Sequence, residues 1–178
     1  GKWATIEVNG TQYIHKSVNS ATTICYKVKA FKIANGTKVY GDYSKLIKTF
    51  TLPTKAKLSV KSVANSSIKL SWRKVQGVSG YQVVVYKGNK VAKKLDVSAK
   101  ATSITIKKLS QNTTYRFKIR GYKVVNGKRY YAIYSNTSVA STKAKATKVS
   151  LATLTKKVMV SWKKIGGAKG YEIVMSTK

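Results

Sequence analysis

The sequence predicts an all-β protein built of antiparallel two-sheet β-sandwiches in tandem. Short runs alternate apolar with polar residues, and no segment shows the 3.6-residue period of a helix. Residues 67–86 contain two such runs with a corner between them, and the same pattern returns at residues 158–175. Four residues mark the match, 90 positions apart: Trp72, Gly77, Gly80 and Tyr81 return as Trp162, Gly167, Gly170 and Tyr171. That period indicates a repeat protein.

Length and composition limit the number of domains and the class of protein. The 178 residues allow one or two domains, and a repeat of about 90 residues is large enough to bury its own core. The 36 Lys and Arg residues against four Asp and Glu residues give a formal charge of +32, which predicts attraction to polyanions and salt-sensitive binding. Cys25 is the only cysteine, so no disulfide forms within the chain. No apolar run approaches the roughly 20 residues of a membrane span. No signal peptide is visible, and the chain reads as a mature or excised product.

Residues 1–52 are predicted to begin in the middle of a domain. Their clearest local pattern is the dipeptide Asn35-Gly36, which is typical of tight β-hairpins. Alternation predicts two short strands, a longer third strand and a return strand after the hairpin, near residues 3–8, 13–15, 24–30 and 39–50. Residues 53–55 hold the only proline and are predicted to be a linker.

Residues 56–142 are predicted to form one complete sandwich. Seven alternating strands lie near residues 57–63, 67–74, 80–87, 91–97, 102–107, 114–125 and 128–140. The last two are joined by Asn126-Gly127, which stands 91 positions after Asn35-Gly36. Residues 145–178 add three strands, near residues 148–154, 157–163 and 170–176. Seven short strands in about 90 residues indicate an antiparallel two-sheet sandwich.

Three sets of residues resemble the fibronectin type III family. In the first set, Trp72 and Trp162 lie on the second strand, and Tyr81 and Tyr171 begin the third strand. The second set is the tyrosine corner with the pattern L-x6-Y, formed by Leu109 and Tyr115. The third set is the pair on the last strand, Tyr43-Ser44 and Tyr134-Ser135. The chain resembles the lysine-rich form of this family, found in tandem on Gram-positive surface and secreted proteins. The resemblance implies an immunoglobulin-like sandwich that acts as a spacer or binding module, without implying one ligand. Val18 and Ile24 replace the corner residues in the first part, so that corner hydrogen bond is expected to be lost there.

The repeat is divided at both ends of the chain. Residues 1–52 match its second half and residues 145–178 its first half, so each alone would expose an apolar face and unpaired strand edges. The two halves of different chains could complete each other in a filament, the halves of one chain could close on each other, or the missing halves could belong to a longer array. The filament is favoured over closure because short linkers and like charges oppose a folded-back pair. Cleavage after lysines in exposed loops would produce both Gly1 and Lys178.

No residue pattern indicates catalysis. The four acidic residues, Glu7, Asp42, Asp96 and Glu172, are not spaced for acid–base work. The only histidine, His15, is predicted to point inward as a half-buried core residue, and Cys25 to face outward as an incidental surface thiol. No phosphate-binding loop, zinc spacing or calcium loop is present. We therefore predict that the chain is not an enzyme, with no catalytic residue, no metal site and no cofactor.

The basic residues offer the only candidate site. Cations and aromatic residues share the predicted strands, and together they could hold a polyanion or stack on sugars or bases. The candidate residues are Lys27, Lys29, Lys32, Lys118, Arg120, Lys123, Lys128, Arg129 and Tyr130. Alternatively, the lysines only fill solvent-facing positions and protect strand edges from aggregation. No element that reads a nucleic-acid groove is visible, so no specific nucleic acid is predicted.

These observations predict an extracellular, secreted or cell-surface protein with a structural and adhesive role. Its partners would be other copies of itself, joined through half-domains, and anionic cell-wall or host polymers. One alternative is a specific adhesin module that recognises a host glycoprotein or immunoglobulin. Another is a set of accessory spacer domains from a larger cell-wall or carbohydrate-active enzyme.

Overall fold

The computed structural model describes residues 3–176, and every strand pair in them is antiparallel. These residues form fourteen strands and no helix. The strands are β1 Thr23–Tyr26, β2 Phe31–Ala34, β3 Thr37–Tyr40, β4 Ile47–Phe50, β5 Leu58–Val63, β6 Ile68–Trp72, β7 Gly80–Lys87, β8 Lys90–Ser98, β9 Ser103–Ile106, β10 Thr114–Val125, β11 Lys128–Tyr131, β12 Ser138–Ser141, β13 Val149–Leu154 and β14 Lys157–Trp162. The all-β prediction is confirmed.

Strands β5 to β12 form the central sandwich, residues 58–141. One sheet has the order β5-β6-β9; the other has the order β11-β10-β7-β8, with β12 also paired to β10. Ile68 and Leu70 from the first sheet and Val83, Phe117 and Ile119 from the second are fully buried in one core. Burying each of these side chains contributes about 1.5–3 kcal/mol. The alternation seen in the sequence is therefore the alternation between core and solvent.

Strand positions in the central sandwich follow the prediction closely, with one difference. Strands β7 and β10 have the predicted bounds, whereas the predicted seventh strand at 128–140 is two strands, β11 and β12. The chain leaves the regular ladder between them, where Ala132 and Ser135 still donate single backbone hydrogen bonds to Gly121 and Ile119. As a result, β11 pairs with the C-terminal end of β10 and β12 pairs with its N-terminal end.

Two tyrosines fix the corners of this sandwich. The Tyr81 hydroxyl accepts a hydrogen bond from the Val75 amide at 2.8 Å, and its ring lies 5.4 Å from that of Trp72. The Tyr115 hydroxyl accepts one from the Ser110 amide at 2.9 Å, beside buried Leu109. The predicted tyrosine corner is thus confirmed. Each bond satisfies a loop amide that would otherwise lose its partner on folding.

The N-terminal segment, residues 3–52, differs from the prediction. Residues 3–8 and 13–15 form no strand, because no neighbouring strand is there to pair with them. The long strand expected over 24–30 is only β1, and β2 follows after a break; the expected return strand at 39–50 is split into β3 and β4. The hairpin is confirmed: Asn35 and Gly36 have φ of 46° and 75°, as a two-residue turn requires.

The C-terminal segment, residues 145–176, contains the β13–β14 pair and no third strand. The prediction of a strand at 170–176 was wrong. The equivalent strand of the central sandwich, β7, pairs with β8 and β10, and the C-terminal segment contains no equivalent of these two partners. The corner nevertheless persists: the Tyr171 hydroxyl accepts from the Ile165 amide at 2.6 Å, and its ring lies 5.3 Å from that of Trp162. Tyr171 remains 42% exposed, where Tyr81 is fully buried.

The N-terminal segment also repeats the hydrogen bonds of the central sandwich. The Ser44 amide donates to the Val28 carbonyl at 2.7 Å, and the Val28 amide donates to the Ser44 hydroxyl at 3.0 Å. Ser135 and Ile119 make the same two hydrogen bonds, also at 2.7 and 3.0 Å. These pairs stand 91 positions apart. Strands β1 to β4 therefore have the local structure of β10 to β12. Their apolar side chains are exposed, Ile47 by 64% and Ile33 by 60%.

Candidate functional site

The outer face of the five-stranded sheet carries cations between aromatic rings. Along β10, Phe117 and Ile119 point into the core, so Arg116, Lys118 and Arg120 point away from it. The ladder sets these three opposite Tyr86, Val84 and Gln82 of β7, in that order. We call this surface the cationic face; it consists of Gln82, Tyr86, Arg116, Lys118, Arg120, Tyr131, Tyr134 and Thr137.

Arg120 is held in place on this face by stacking and hydrogen bonds. Its guanidinium carbon lies 3.8 Å from the Tyr131 ring centroid and 4.4 Å from that of Tyr134. Its Nε and one terminal nitrogen donate to the Gln82 side-chain oxygen at 3.1 and 2.8 Å. The Tyr134 hydroxyl also donates to that oxygen at 3.3 Å, and burial raises the pKa of Tyr134. Arg120 therefore supplies charge to the face, with two of its nitrogens engaged by Gln82.

Arg129 is engaged in another way. Its guanidinium donates to the Asp96 carboxylate at 2.7 Å and lies 4.5 Å from the Tyr122 ring centroid. The hydrogen bond that Arg129 donates to the Asp96 carboxylate raises the pKa of Arg129. Because both partners of this ion pair are exposed, we expect it to add little stability. The pair cancels the local charge of Arg129, which makes Arg129 a weak candidate for anion binding.

Arg116 and Lys118 line a shallow cavity of about 140 Å³ on the cationic face, together with Tyr86 and Thr137. The four lining residues include two cations, two hydroxyl groups and no carboxylate. One terminal nitrogen of Arg116 donates to the Gly88 carbonyl at 2.6 Å and to the Asn89 side-chain oxygen at 3.0 Å. The guanidinium is thus held in place beforehand, with donors left over for an anion.

The three-stranded sheet carries a second depression, larger and more open, of about 620 Å³. It is lined by Lys61, Ser62, Lys69, Ser71, Trp72, Thr102 and Ser103. Neither Lys61 nor Lys69 stacks on Trp72, the one aromatic residue of this lining. We therefore place the candidate site on the other sheet.

The N-terminal segment reproduces the stacking of the cationic face. Lys29, which stands 91 positions before Arg120, has its ammonium 3.7 Å from the Tyr40 ring centroid and 4.8 Å from that of Tyr43. Lys27 lies over the same Tyr43 ring at 3.9 Å and over Trp3 at 5.1 Å. A cation between two tyrosines is therefore a feature of both parts of the chain.

Lys38 in the same segment stands 91 positions before Arg129 and makes equivalent contacts. It contacts the Glu7 carboxylate at 2.5 Å and the Phe31 ring centroid at 4.9 Å. The hydrogen bond that Lys38 donates to the Glu7 carboxylate raises the pKa of Lys38. As with Arg129, a carboxylate offsets the charge of the cation at the end of the hairpin.

The other predicted residues lie elsewhere. Lys32 is exposed on β2, and Lys128 stands 5.6 Å from the Tyr130 ring centroid beside the hairpin. Lys123 donates to the backbone carbonyl of Ala21, and Tyr130 packs its ring 4.6 Å from that of Phe50. These last two contacts tie the central sandwich to the N-terminal segment and do not belong to the cationic face.

Sequence reasoning missed three of the four residues that line the cavity: Tyr86, Arg116 and Thr137. Arg116 alternates with Phe117 and could have been found from the same pattern as Lys118. Tyr86 comes from β7 and Thr137 from the loop before β12, and only the pairing of β7 and β12 with β10 brings them beside Arg116 and Lys118.

The two residues considered for nucleophilic chemistry are placed differently from the prediction. His15 is exposed, and the expected inward position was wrong, because residues 13–15 join no sheet; its Nδ1 lies 2.9 Å from the Tyr26 hydroxyl. Cys25 is half-buried on β1 and does not face fully outward. Residues 3–176 contain no group of three or more His, Cys, Asp or Glu side chains placed to hold a metal ion. In the same residues no helix is long and apolar enough to cross a membrane.

Residues 52–137 match the family model of the fibronectin type III domain. The central sandwich has the fibronectin type III fold. Such domains are typically non-catalytic modules and are commonly extracellular, which agrees with the predicted fold and with a general modular role.

Three solved structures match the chain at low sequence identity. The FN1–FN3 domains of chicken CNTN1 are 22% identical with a TM-score of 0.46; the match covers 74% of this chain and 44% of that one. A computationally redesigned β-sandwich protein is 18% identical with a TM-score of 0.44, over 53% and 92% of the two chains. A myokine structure is 15% identical with a TM-score of 0.44, over 51% and 98%. No curated protein matches the chain in sequence.

Proposed function

We propose that the chain is a non-enzymatic extracellular series of fibronectin type III modules that adheres to anionic polymers of the cell wall or host. The proposal places it among the lysine-rich tandem modules of Gram-positive surface and secreted proteins. The observation that carries it is the cavity formed by Arg116 and Lys118 with two hydroxyl groups and no carboxylate. A sulfate, phosphate or carboxylate group of a polymer is the ligand class that such donors recognise.

The charge distribution supports a polymer over a single small anion. The chain carries a formal charge of +32, so its field attracts an extended polyanion over its whole surface. The cavity then gives one anionic group a defined position. The rings of Tyr86, Tyr131 and Tyr134 on the same face offer apolar surfaces for sugar rings.

Binding of a heparin dodecasaccharide, followed by calorimetry at several salt concentrations, tests this function. The variant Arg116→Gln/Lys118→Gln removes the two cavity cations, and Lys57→Gln/Lys107→Gln removes two exposed lysines elsewhere. We expect at least tenfold weaker binding for the first and less than threefold for the second. Equal losses would refute a defined site. Affinity that stays constant between about 50 and 200 mM salt would instead favour the protein-specific adhesin, since binding of a polyanion must weaken.

We propose assembly as a second function, because the two end segments are complementary. Residues 3–52 have the hydrogen bonds of β10 to β12, and residues 145–176 have the corner of β6 and β7. Both leave apolar side chains exposed, such as Ile47 at 64% and Val174 at 85%. A second copy of the chain carries the missing half of each sandwich. Light scattering across a concentration series should show masses above 19.6 kDa that grow with concentration, and a monomer throughout would refute assembly.

A further inference from the structure

Two turns of the chain have the same unusual backbone. Ala21 precedes β1 and Asn112 precedes β10, with φ of 53° and 46°. The Ala21 amide donates to the Leu52 carbonyl at 3.2 Å, and the Asn112 amide donates to the Lys143 carbonyl at 3.3 Å. A positive φ is uncommon for alanine, so this turn is held by its surroundings.

Each turn lies against a corner glycine that comes later in the chain. A Cβ atom added to Gly77 would lie 2.7 Å from the Ala21 Cβ, and one added to Gly167 would lie 2.6 Å from the Asn112 side-chain nitrogen. The Asn112 side chain also donates to the Gly166 carbonyl. These glycines are themselves equivalent, at φ of 69° and 79° and 90 positions apart. The same contact therefore occurs twice in one chain.

Further contacts surround the first of these two sites. Ala21 is only 3% exposed, although most of the N-terminal segment is open to solvent. Lys123 donates to its carbonyl, and the Phe50 and Tyr130 rings meet edge to face at 4.6 Å. Pro53 is buried and lies 3.6 Å from the position of a Cβ on Gly121. The predicted linker therefore begins with a docked residue.

We propose that this contact is a standard junction that fixes the orientation between successive sandwiches. The corner glycine of each sandwich docks on the positive-φ turn of the sandwich before it, so the partner that this surface fits is another repeat of the same kind. The proposal rests on the tandem arrangement proposed above. It explains why the corner residue is glycine at both contacts: a Cβ on Gly77 or on Gly167 would collide with the turn that it meets. It also gives exposed Lys32 a role, since Lys32 stands 91 positions before Lys123 and would reach the preceding turn in a longer array.

Distances between two spin labels test the junction in the full chain. The labels replace the exposed residues Lys48 and Lys90 on a Cys25→Ser background, and no polyanion is added. We expect a single narrow distance distribution. Gly77→Ala should broaden or shift it. The matched control is Gly88→Ala, because Gly88 also has a positive φ of 58° but meets nothing within 4 Å, and this variant should leave the distribution unchanged.

Lys123→Gln keeps the test decisive should Gly77→Ala fail to fold. This variant removes the charged donor to Ala21 and leaves the core intact, so we expect a broader distribution with an unchanged unfolding midpoint. A broad distribution in the parent chain, or a narrow and identical one in both Gly77→Ala and Lys123→Gln, would overturn the junction. The heparin assay is independent of this outcome, because its cavity lies wholly within the central sandwich.

Discussion

Replacing Tyr81 by phenylalanine tests how the corner of the central sandwich is stabilised. The hydroxyl of Tyr81 accepts the Val75 amide at 2.8 Å, and Val75 is only 6% exposed. Without the hydroxyl, water cannot replace the lost acceptor, so a buried donor stays unsatisfied at a cost of about 1–3 kcal/mol. In a domain of this size each kcal/mol lowers the melting temperature by about 4–8 °C. We expect a loss of at least about 4 °C.

The chain offers a matched control at Tyr171. Its hydroxyl accepts the Ile165 amide in the same geometry at 2.6 Å, but Tyr171 is 42% exposed. Water can take over this bond, so Tyr171→Phe should cost less than about 0.5 kcal/mol. Thermal unfolding followed by tryptophan fluorescence measures both variants, since Trp72 packs on Tyr81 and Trp162 on Tyr171. A change below 1 °C for Tyr81→Phe would refute the reasoning. An equal loss at Tyr171 would show that Tyr171 is buried in solution, as assembly between copies requires.

Three further predictions follow the same logic. Ser135→Ala should destabilise the sandwich by about 1–2 kcal/mol in urea unfolding, because the buried Ile119 amide loses its side-chain acceptor, whereas the equivalent Ser44→Ala in the exposed segment should be neutral. Phe117→Ala should cost about 3–5 kcal/mol in the same urea unfolding, and a loss below about 1 kcal/mol would contradict the assigned core. Burial raises the pKa of Tyr134, so the folded state holds this proton more tightly and stability falls as pH rises above about 10; Tyr134→Phe should flatten that slope.

Alternation and turn residues were sufficient to predict the central sandwich. Each strand of residues 58–141 pairs with a neighbour, so its apolar face has a core to fill, and the predicted strand forms. The end segments carry the same alternation without those neighbours, and strands at 3–8, 13–15 and 170–176 do not form. Strand formation depends on the pairing partner as well as on the sequence of the strand.

The candidate site was predictable only along a single strand. Lys118 and Arg120 were found because they alternate with core residues of β10. Lys123 and Arg129 were named because they share strands with aromatic residues, yet Arg129 is paired with Asp96 and Lys123 reaches Ala21. Alternation along a strand predicts which face of the sheet a side chain lies on. It does not predict which residues of the neighbouring strand or sandwich lie next to that side chain.

The two proposed functions respond to salt in opposite directions, and the charge of the chain is the reason. At about 10 mM salt the Debye length is about 30 Å, so two chains of charge +32 repel each other before their open apolar faces can meet. At about 150 mM it falls to about 8 Å, and the apolar faces then gain about 25 cal/mol for each Å² they bury. Assembly should therefore increase with salt, while binding of a polyanion decreases as counterion release predicts. A polyanion that neutralises the lysines should promote assembly at low salt as well. Light scattering with and without heparin at about 10 and 150 mM salt compares these effects, and assembly that weakens with salt in the absence of heparin would contradict the apolar contact.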